Sequence, residues 1–230
     1  MAACAAFTWA GATLAQQSAA RDAPQNVAQL SAMGSVEVQQ DLLSISMSTT
    51  RDGADASAVQ TQLKQALDTA LAQAKQAAAP GQMDIRTGNF SLYPRYGKEG
   101  KLNGWQGSTE LVLEGKDFSR ITSTAGKIQT LTLANVSFSL SREQRARVEG
   151  EAQTLAIERF KAKAGEVARG FGFGSYTLRE VAINANDQGQ SPRPYVMSMQ
   201  SRSAMAESAV PVEAGKSTVV VSVSGSVQMK

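Results

Sequence analysis

Met197, Met199 and Met205 are the residues whose type and spacing come nearest to a metal site. Soft thioethers select Cu(I) where thiolates are absent, and a Met-x-Met pair on a loop can consume oxidant by reversible sulfoxide formation. Against this stands methionine's commoner use as an adaptable packing residue at a subunit contact, which is the preferred reading. Thr124 and Lys127 set a hydroxyl and an amine three positions apart on an expected helix, the one hydrolytic pairing open to a chain without histidine. No oxyanion-hole sequence accompanies them, and such pairs arise readily by chance.

Two absences close more chemistry than any motif opens. The chain has no histidine, which excludes Ser-His-Asp and Cys-His catalysis, histidine-containing zinc sites and the usual general base at neutral pH. Its one cysteine, Cys4, falls in an apolar N-terminal run. Beyond that run there are no thiolate metal ligands, no thiol nucleophile and no disulfides. The expectation is a protein that is not an enzyme and carries no cofactor.

Other candidate motifs read as structure. Gly215-Lys216-Ser217 lacks the upstream glycine of a phosphate-binding loop, since Val210 stands there, and precedes a strand where that loop needs a helix. Gly170–Gly174 follows a helix, so Gly170 is expected as a left-handed cap with Phe171 and Phe173 packing back. Glu110, Glu114 and Asp117 have no calcium-loop spacing. Arg142, Arg145 and Arg147 alternate with Glu143, Glu149 and Glu151, a solvated helix face rather than the aromatic-interleaved basic surface of a nucleic-acid site. Tyr93, Tyr96 and Trp105 crowd one turn, where amphipathic aromatics serve an interface or a ligand as readily as they cover a hairpin.

The elements that must position these residues follow from periodicity. Leu30, Ala32, Gly34, Val36 and Val38 alternate with polar neighbours, as do Leu43, Ile45, Met47 and Thr49, and Gln39–Asp41 between the two runs suggests a hairpin. From Asp55 to Ala79 the period becomes helical through Val59, Leu63, Ala66, Leu67, Ala70 and Ala74, with Asp55 or Ser57 as N-cap and Pro80-Gly81 as the stop. Asp84–Glu114 reads as a strand pair in which Trp105, Thr109, Leu111 and Leu113 share the buried face. A helix over Lys116–Thr130 and a strand at Val136–Leu140 come next. Ser141 and Gln144 form a capping-box pattern opening a helix to about Arg169, with Ile157, Phe160, Ala164, Val167 and Phe171 as its buried stripe. Tyr176–Asn184 is a strand, residues 185–215 a long loop, and Val219, Val221, Val223, Val227 and Met229 mark the last strand. The order ββ-α-ββ-α-β-α-β-β specifies an α+β fold with mostly antiparallel sheet.

A length of 230 residues with 42% hydrophobic and 19% charged residues suits a sizeable core. The formal charge of +3 is dispersed, which argues against a nucleic-acid partner. Residues 1–15 are apolar and uncharged, with small residues before Gln16, and read as the hydrophobic region and cleavage site of an export signal whose leader is incomplete. Met-Ala-Ala-Cys only faintly matches a lipidation site at Cys4. Residues 16–29 read as a flexible start, and 30–230 as the folded domain.

Several landmarks recur in a fixed order. They are Gly34-Ser-Val-Glu-Val38, then Asp84-Ile-x-Thr87, Phe90-Ser-Leu-x-Pro94-x-Tyr96 and Gly104-Trp105. Val136-Ser-Phe-Ser-Leu-Ser141 and Pro211–Lys216 complete the series. From Leu30 to Lys230 the chain resembles the SIMPL-domain family, bacterial envelope proteins of largely unknown function. The resemblance implies export to the periplasm, an α+β fold, association with the outer membrane or envelope, and homo-oligomers that can be ring- or channel-like. It also implies a link to oxidative stress, and it supplies no active site. The reading it leaves is an exported, self-associating, non-enzymatic protein, with a periplasmic Cu(I)- or small-ligand-binding module as the alternative.

Overall fold

Among the described residues, alternating side chains build seven strands and helical periods build three helices, in the expected order. The computed structural model describes residues 25–186 and 212–230. Val27–Gln39 (β1) and Leu42–Gly53 (β2) lead into the helix Ala56–Ala77 (α1). Asp84–Tyr96 (β3) and Leu102–Gly115 (β4) precede the helix Phe118–Lys127 (α2) and the strand Thr132–Ser139 (β5). The long helix Arg142–Gly170 (α3) is followed by Tyr176–Asn186 (β6) and Lys216–Met229 (β7). The strands form two antiparallel sheets, ordered β1-β7-β6 and β3-β4-β2-β5, so the fold is α+β. The expected export signal, Cys4 and the methionine cluster lie outside the described residues.

One expectation is overturned at the start. β1 and β2 do not form a hairpin: β1 pairs with β7 from Val27↔Gln228 to Gln39↔Lys216, while β2 lies between β4 and β5. Gln40 and Asp41 carry the chain from one sheet to the other. Alternation fixes which face of a strand is buried but leaves open which neighbour completes its ladder, and Gln39–Asp41 lacks the glycine or asparagine that a tight hairpin turn favours.

Each sheet has its own core. Leu43, Ile45, Leu111 and Leu113 are fully buried beneath α1 and α2, with Met83 and Ile121. Full burial of such a side chain is worth about 1.5–3 kcal/mol. Val221, Val223 and Val227 are buried against Ala152, Ala156, Phe160 and Ala164 of α3. The stripe on α3 therefore differs from the expected one: Ile157 and Val167 are half-buried, Ala152, Ala156 and Ala168 are buried, and Phe171 is 72% exposed. The cause is close approach. A Cβ at Gly34 would lie 2.0 Å from the Ala152 carbonyl oxygen and 2.7 Å from the Ala156 nitrogen, so this surface takes alanine and rejects larger side chains.

The caps show how residues were matched to ends. Asp55 accepts a hydrogen bond from the Ala58 amide at 2.8 Å and starts α1. Ser141 accepts from the Gln144 amide at 3.2 Å, but the reciprocal half of the capping box is supplied by Asp41, which accepts from the Ser141 amide at 2.7 Å and its hydroxyl at 2.6 Å. At the far end of α3 the left-handed residue is Gly172 (φ 83°), not Gly170. The Phe173 amide bonds the Ala168 carbonyl at 2.9 Å and the Gly172 amide that of Arg169 at 3.0 Å, a Schellman pair two residues beyond the expected stop.

The segment between Asp41 and Ser141 supplies the whole four-stranded sheet, so the chain leaves and re-enters the α3 layer at these two residues. The bonds from Asp41 to Ser141 tie the two crossings together. Gln40 adds to the tie, its amide donating to the Gly215 carbonyl at 3.0 Å and its side chain to the Ser217 hydroxyl at 2.9 Å. Burial alone would raise the Asp41 carboxyl's pKa, but the Ser141 hydroxyl and amide hold it below the usual carboxylate range.

Candidate functional site

The aromatic turn does not form one patch. Pro94 pairs with Trp105 and Tyr93 with Gln106, so strand alternation places Tyr93 on the face opposite Trp105, and beyond a register shift Tyr96 pairs with Leu102. Tyr93 and Tyr96 are exposed and Trp105 is half-buried. Gly100 (φ 71°) lets the turn close, with the Gly97 amide donating to the Lys101 carbonyl at 2.8 Å.

The nearby carboxylates are occupied structurally. Glu110 accepts from the Ser46 hydroxyl and, at 3.2 Å, from the Asn89 amide, where β3 bulges between Thr87 and Phe90. Those bonds, the serine first, hold its carboxyl below the usual range. Glu114 pairs with Arg86 at 3.8 Å. Of the arginine cluster, Arg147 engages Glu151 at 3.5 Å and Gln144 at 3.1 Å, as a solvated helix face should. Lys216 opens β7 and pairs with Glu37 at 2.6 Å, which makes Gly215-Lys216-Ser217 the entry to a strand. Among the described residues no three histidine, cysteine or acidic side chains cluster as metal ligands.

α1 and α2 lie side by side on the four-stranded sheet, and the seam between them opens into a cleft of about 650 Å³. Gln73 and Gln76 of α1 and Ser119, Arg120, Thr124 and Lys127 of α2 line it. The structure thus brings Thr124 and Lys127 to one cavity, Thr124 only 4% exposed and Lys127 at the exposed rim. The Thr124 hydroxyl has no hydrogen-bond partner among the described residues, and Lys127 has no ion pair there. Arg120 is held: its Nε donates to the Asp117 carboxylate at 3.0 Å and its Nη1 to the Ala77 carbonyl at 3.2 Å. The Arg120 amide, then its guanidinium, keep the Asp117 carboxyl below the usual range. Gln73 and Gln76 carry no sequence signal for this role, because polar positions on α1 look alike until α2 is placed beside two of them.

The two edges of the three-stranded sheet are unequal. Along β1, Arg159 donates to the Met33 carbonyl at 2.7 Å and Lys163 to the Ser31 carbonyl at 3.0 Å, so side chains of α3 occupy acceptors of that edge. β6 forms the other edge and is paired on one side only among the described residues. Its residues opposite Val227, Gly225 and Val223 are Leu178, Val181 and Ile183, which share the face that α3 covers elsewhere. They remain 52%, 43% and 44% exposed. Sequence reading missed them because the register shifts between Leu178 and Glu180, which breaks the alternation. No helix among the described residues is long and apolar enough to cross a membrane.

Comparison with known proteins adds a family. The model of a family described as "SIMPL: Protein of unknown function (DUF541)" matches residues 28–227. No curated protein matches the chain. A solved structure titled "The crystal structure of AtUAH in complex with glyoxylate" aligns at 13% identity with a TM-score of 0.24, over 57% of this chain and 34% of that one.

Proposed function

The chain belongs to the SIMPL family, and from that premise we propose that it is an exported, non-enzymatic envelope protein that self-associates through β6 and serves in stress protection. The observation that carries the reading is the open edge of β6 with Leu178, Val181 and Ile183 left partly exposed beside it. An unpaired strand edge is a template for another strand, and an apolar stripe beside it gives a second copy something to bury. The β1 edge is a poorer template because Arg159 and Lys163 already engage its carbonyls. The contact is therefore β6 against β6, the same surface used by both copies.

Export is supported by the apolar, uncharged residues 1–15, and the absence of histidine supports a role other than catalysis. Native mass spectrometry of the protein recovered from the periplasm tests the reading. The expected spectrum is a discrete multimer with no added mass. A monomer, or a copper-loaded species, would overturn it, and recovery from the cytoplasm alone would remove export.

A further inference from the structure

We propose that the cleft between α1 and α2 is a binding site for a small, hydroxyl-rich molecule bearing a single carboxylate, of the sugar-acid class. Two helices packed side by side on a sheet ordinarily close their seam with apolar side chains. Here the seam is polar throughout: Thr124 lies deep, while Ser119, Gln73, Gln76 and Lys127 are exposed around the rim. The result is a cavity of about 650 Å³, within the size range of small-molecule sites.

Thr124 is the first pointer to a ligand. Its hydroxyl oxygen opens onto the cleft, since Thr109 Oγ1 is the one fully enclosed polar side-chain atom without a partner among the described residues. Thr124 is more than nine-tenths buried, lines the cleft, and bonds nothing among the described residues. A neighbouring threonine of the same helix behaves otherwise: Thr122 donates to the Ser119 carbonyl at 3.1 Å. Gln73, Gln76 and the Ser119 hydroxyl are also without side-chain partners among the described residues. Two amides and two hydroxyls both donate and accept, which suits a ligand with several hydroxyl groups.

Charge sets the other half of the ligand. Arg120 is neutralised by Asp117 and fastened to Ala77, so it adds no net charge to the cleft. Lys127 has no ion pair among the described residues, leaving one uncompensated positive charge at the rim. One cation calls for one anion, and an ammonium pairs with a carboxylate through a charge-assisted hydrogen bond. The pairing of Thr124 with Lys127 thus gains a role in recognition, with no nucleophilic step required.

Calorimetric titration of the full chain with galacturonate and with galactose, which differ at the carboxylate, tests this. Galacturonate should bind about two- to fivefold more tightly than galactose, the effect expected of one ion pair at an exposed rim. Lys127→Met should erase that preference, and Lys127→Arg should retain it. Thr124→Val should weaken both sugars. Lys127 is exposed, so its variants keep the fold and decide the matter even if Thr124→Val does not fold. No binding of galacturonate at millimolar concentration, equal affinity for both sugars, or unchanged affinity in Lys127→Met would each overturn the assignment. The site lies on α1 and α2, away from β6, so its failure and that of self-association are read separately.

Discussion

Val181→Lys puts the assembly reading at risk most directly. Leu178, Val181 and Ile183 are about half exposed, and full burial of such a side chain is worth about 1.5–3 kcal/mol, so covering the rest of each gains about 1 kcal/mol. A two-fold contact covers the stripe from both copies, about 6 kcal/mol, and ladder hydrogen bonds along the edge add about 1 kcal/mol each. Association costs about 4–15 kcal/mol in lost freedom. The balance is therefore close, and a modest local loss decides it. Lysine at position 181 removes the valine contribution and, in an isologous contact, brings two unpaired ammonium groups to a desolvated interface, a further loss of about 2 kcal/mol or more. Self-affinity should fall by about 100-fold or more. Sedimentation velocity across a dilution series should show the wild type assembled where the variant is monomeric. Urea unfolding of the variant should stay within about 1 kcal/mol of wild type, because the position is already 43% exposed. A variant that folds normally and assembles like wild type would refute the role of β6.

Two further outcomes bear on stability. Thr109 is 1% exposed and its Oγ1 has no partner among the described residues, so Thr109→Val, which keeps the shape and removes the hydroxyl, should stabilise the protein by about 1 kcal/mol in urea unfolding; a loss of stability would mean the hydroxyl is bonded after all. Asp41 has a folded pKa below its unfolded one, so its contribution is present above about pH 4 and disappears as pH falls through the folded value. Asp41→Asn should accordingly be less stable than wild type at pH 7, and the gap between their urea midpoints should narrow by pH 3; a gap independent of pH would show that the carboxylate charge is not what ties Asp41 to Ser141.

Much of the fold was legible because it depends on local pattern. Period-two alternation identified β1, β2, β4 and β7, and Asp55, Asp117 and Ser141 act as caps where polar side chains precede helical runs. What stayed hidden depends on partners distant in sequence. The pairing of β1 with β7 joins the two ends of the domain, and nothing in either strand names the other. The choice of alanine over isoleucine on α3 is dictated by the backbone of Gly34, 118 residues before Ala152. The capping box looked complete within Ser141–Gln144, yet its second half came from Asp41. Thr124 and Lys127 were visible as a pair, but their meaning changed once α1 stood opposite with Gln73 and Gln76. Leu178, Val181 and Ile183 could be seen as apolar, whereas their exposure is a property of where α3 ends its cover.

The topology separates the two proposed surfaces. β6 belongs to the α3 layer, while the cleft belongs to α1 and α2, which lie in the segment running from Asp41 to Ser141. Substitutions far apart and without shared partners act independently, so Val181→Lys should leave the cleft's affinity unchanged and Lys127→Met should leave assembly unchanged. The exception would arise at the tie itself. Asp41 bonds Ser141 and lies 3.9 Å from Lys116, which also pairs with Glu143 at the start of α3. Coupling between two sites requires an element that both of them bias. The Asp41–Ser141–Lys116 cluster is where such an element would have to lie, because both chain crossings meet there. A change at Asp41 that altered assembly and cleft affinity together would show the layers to be linked; a change that lowered stability alone would show them to be independent.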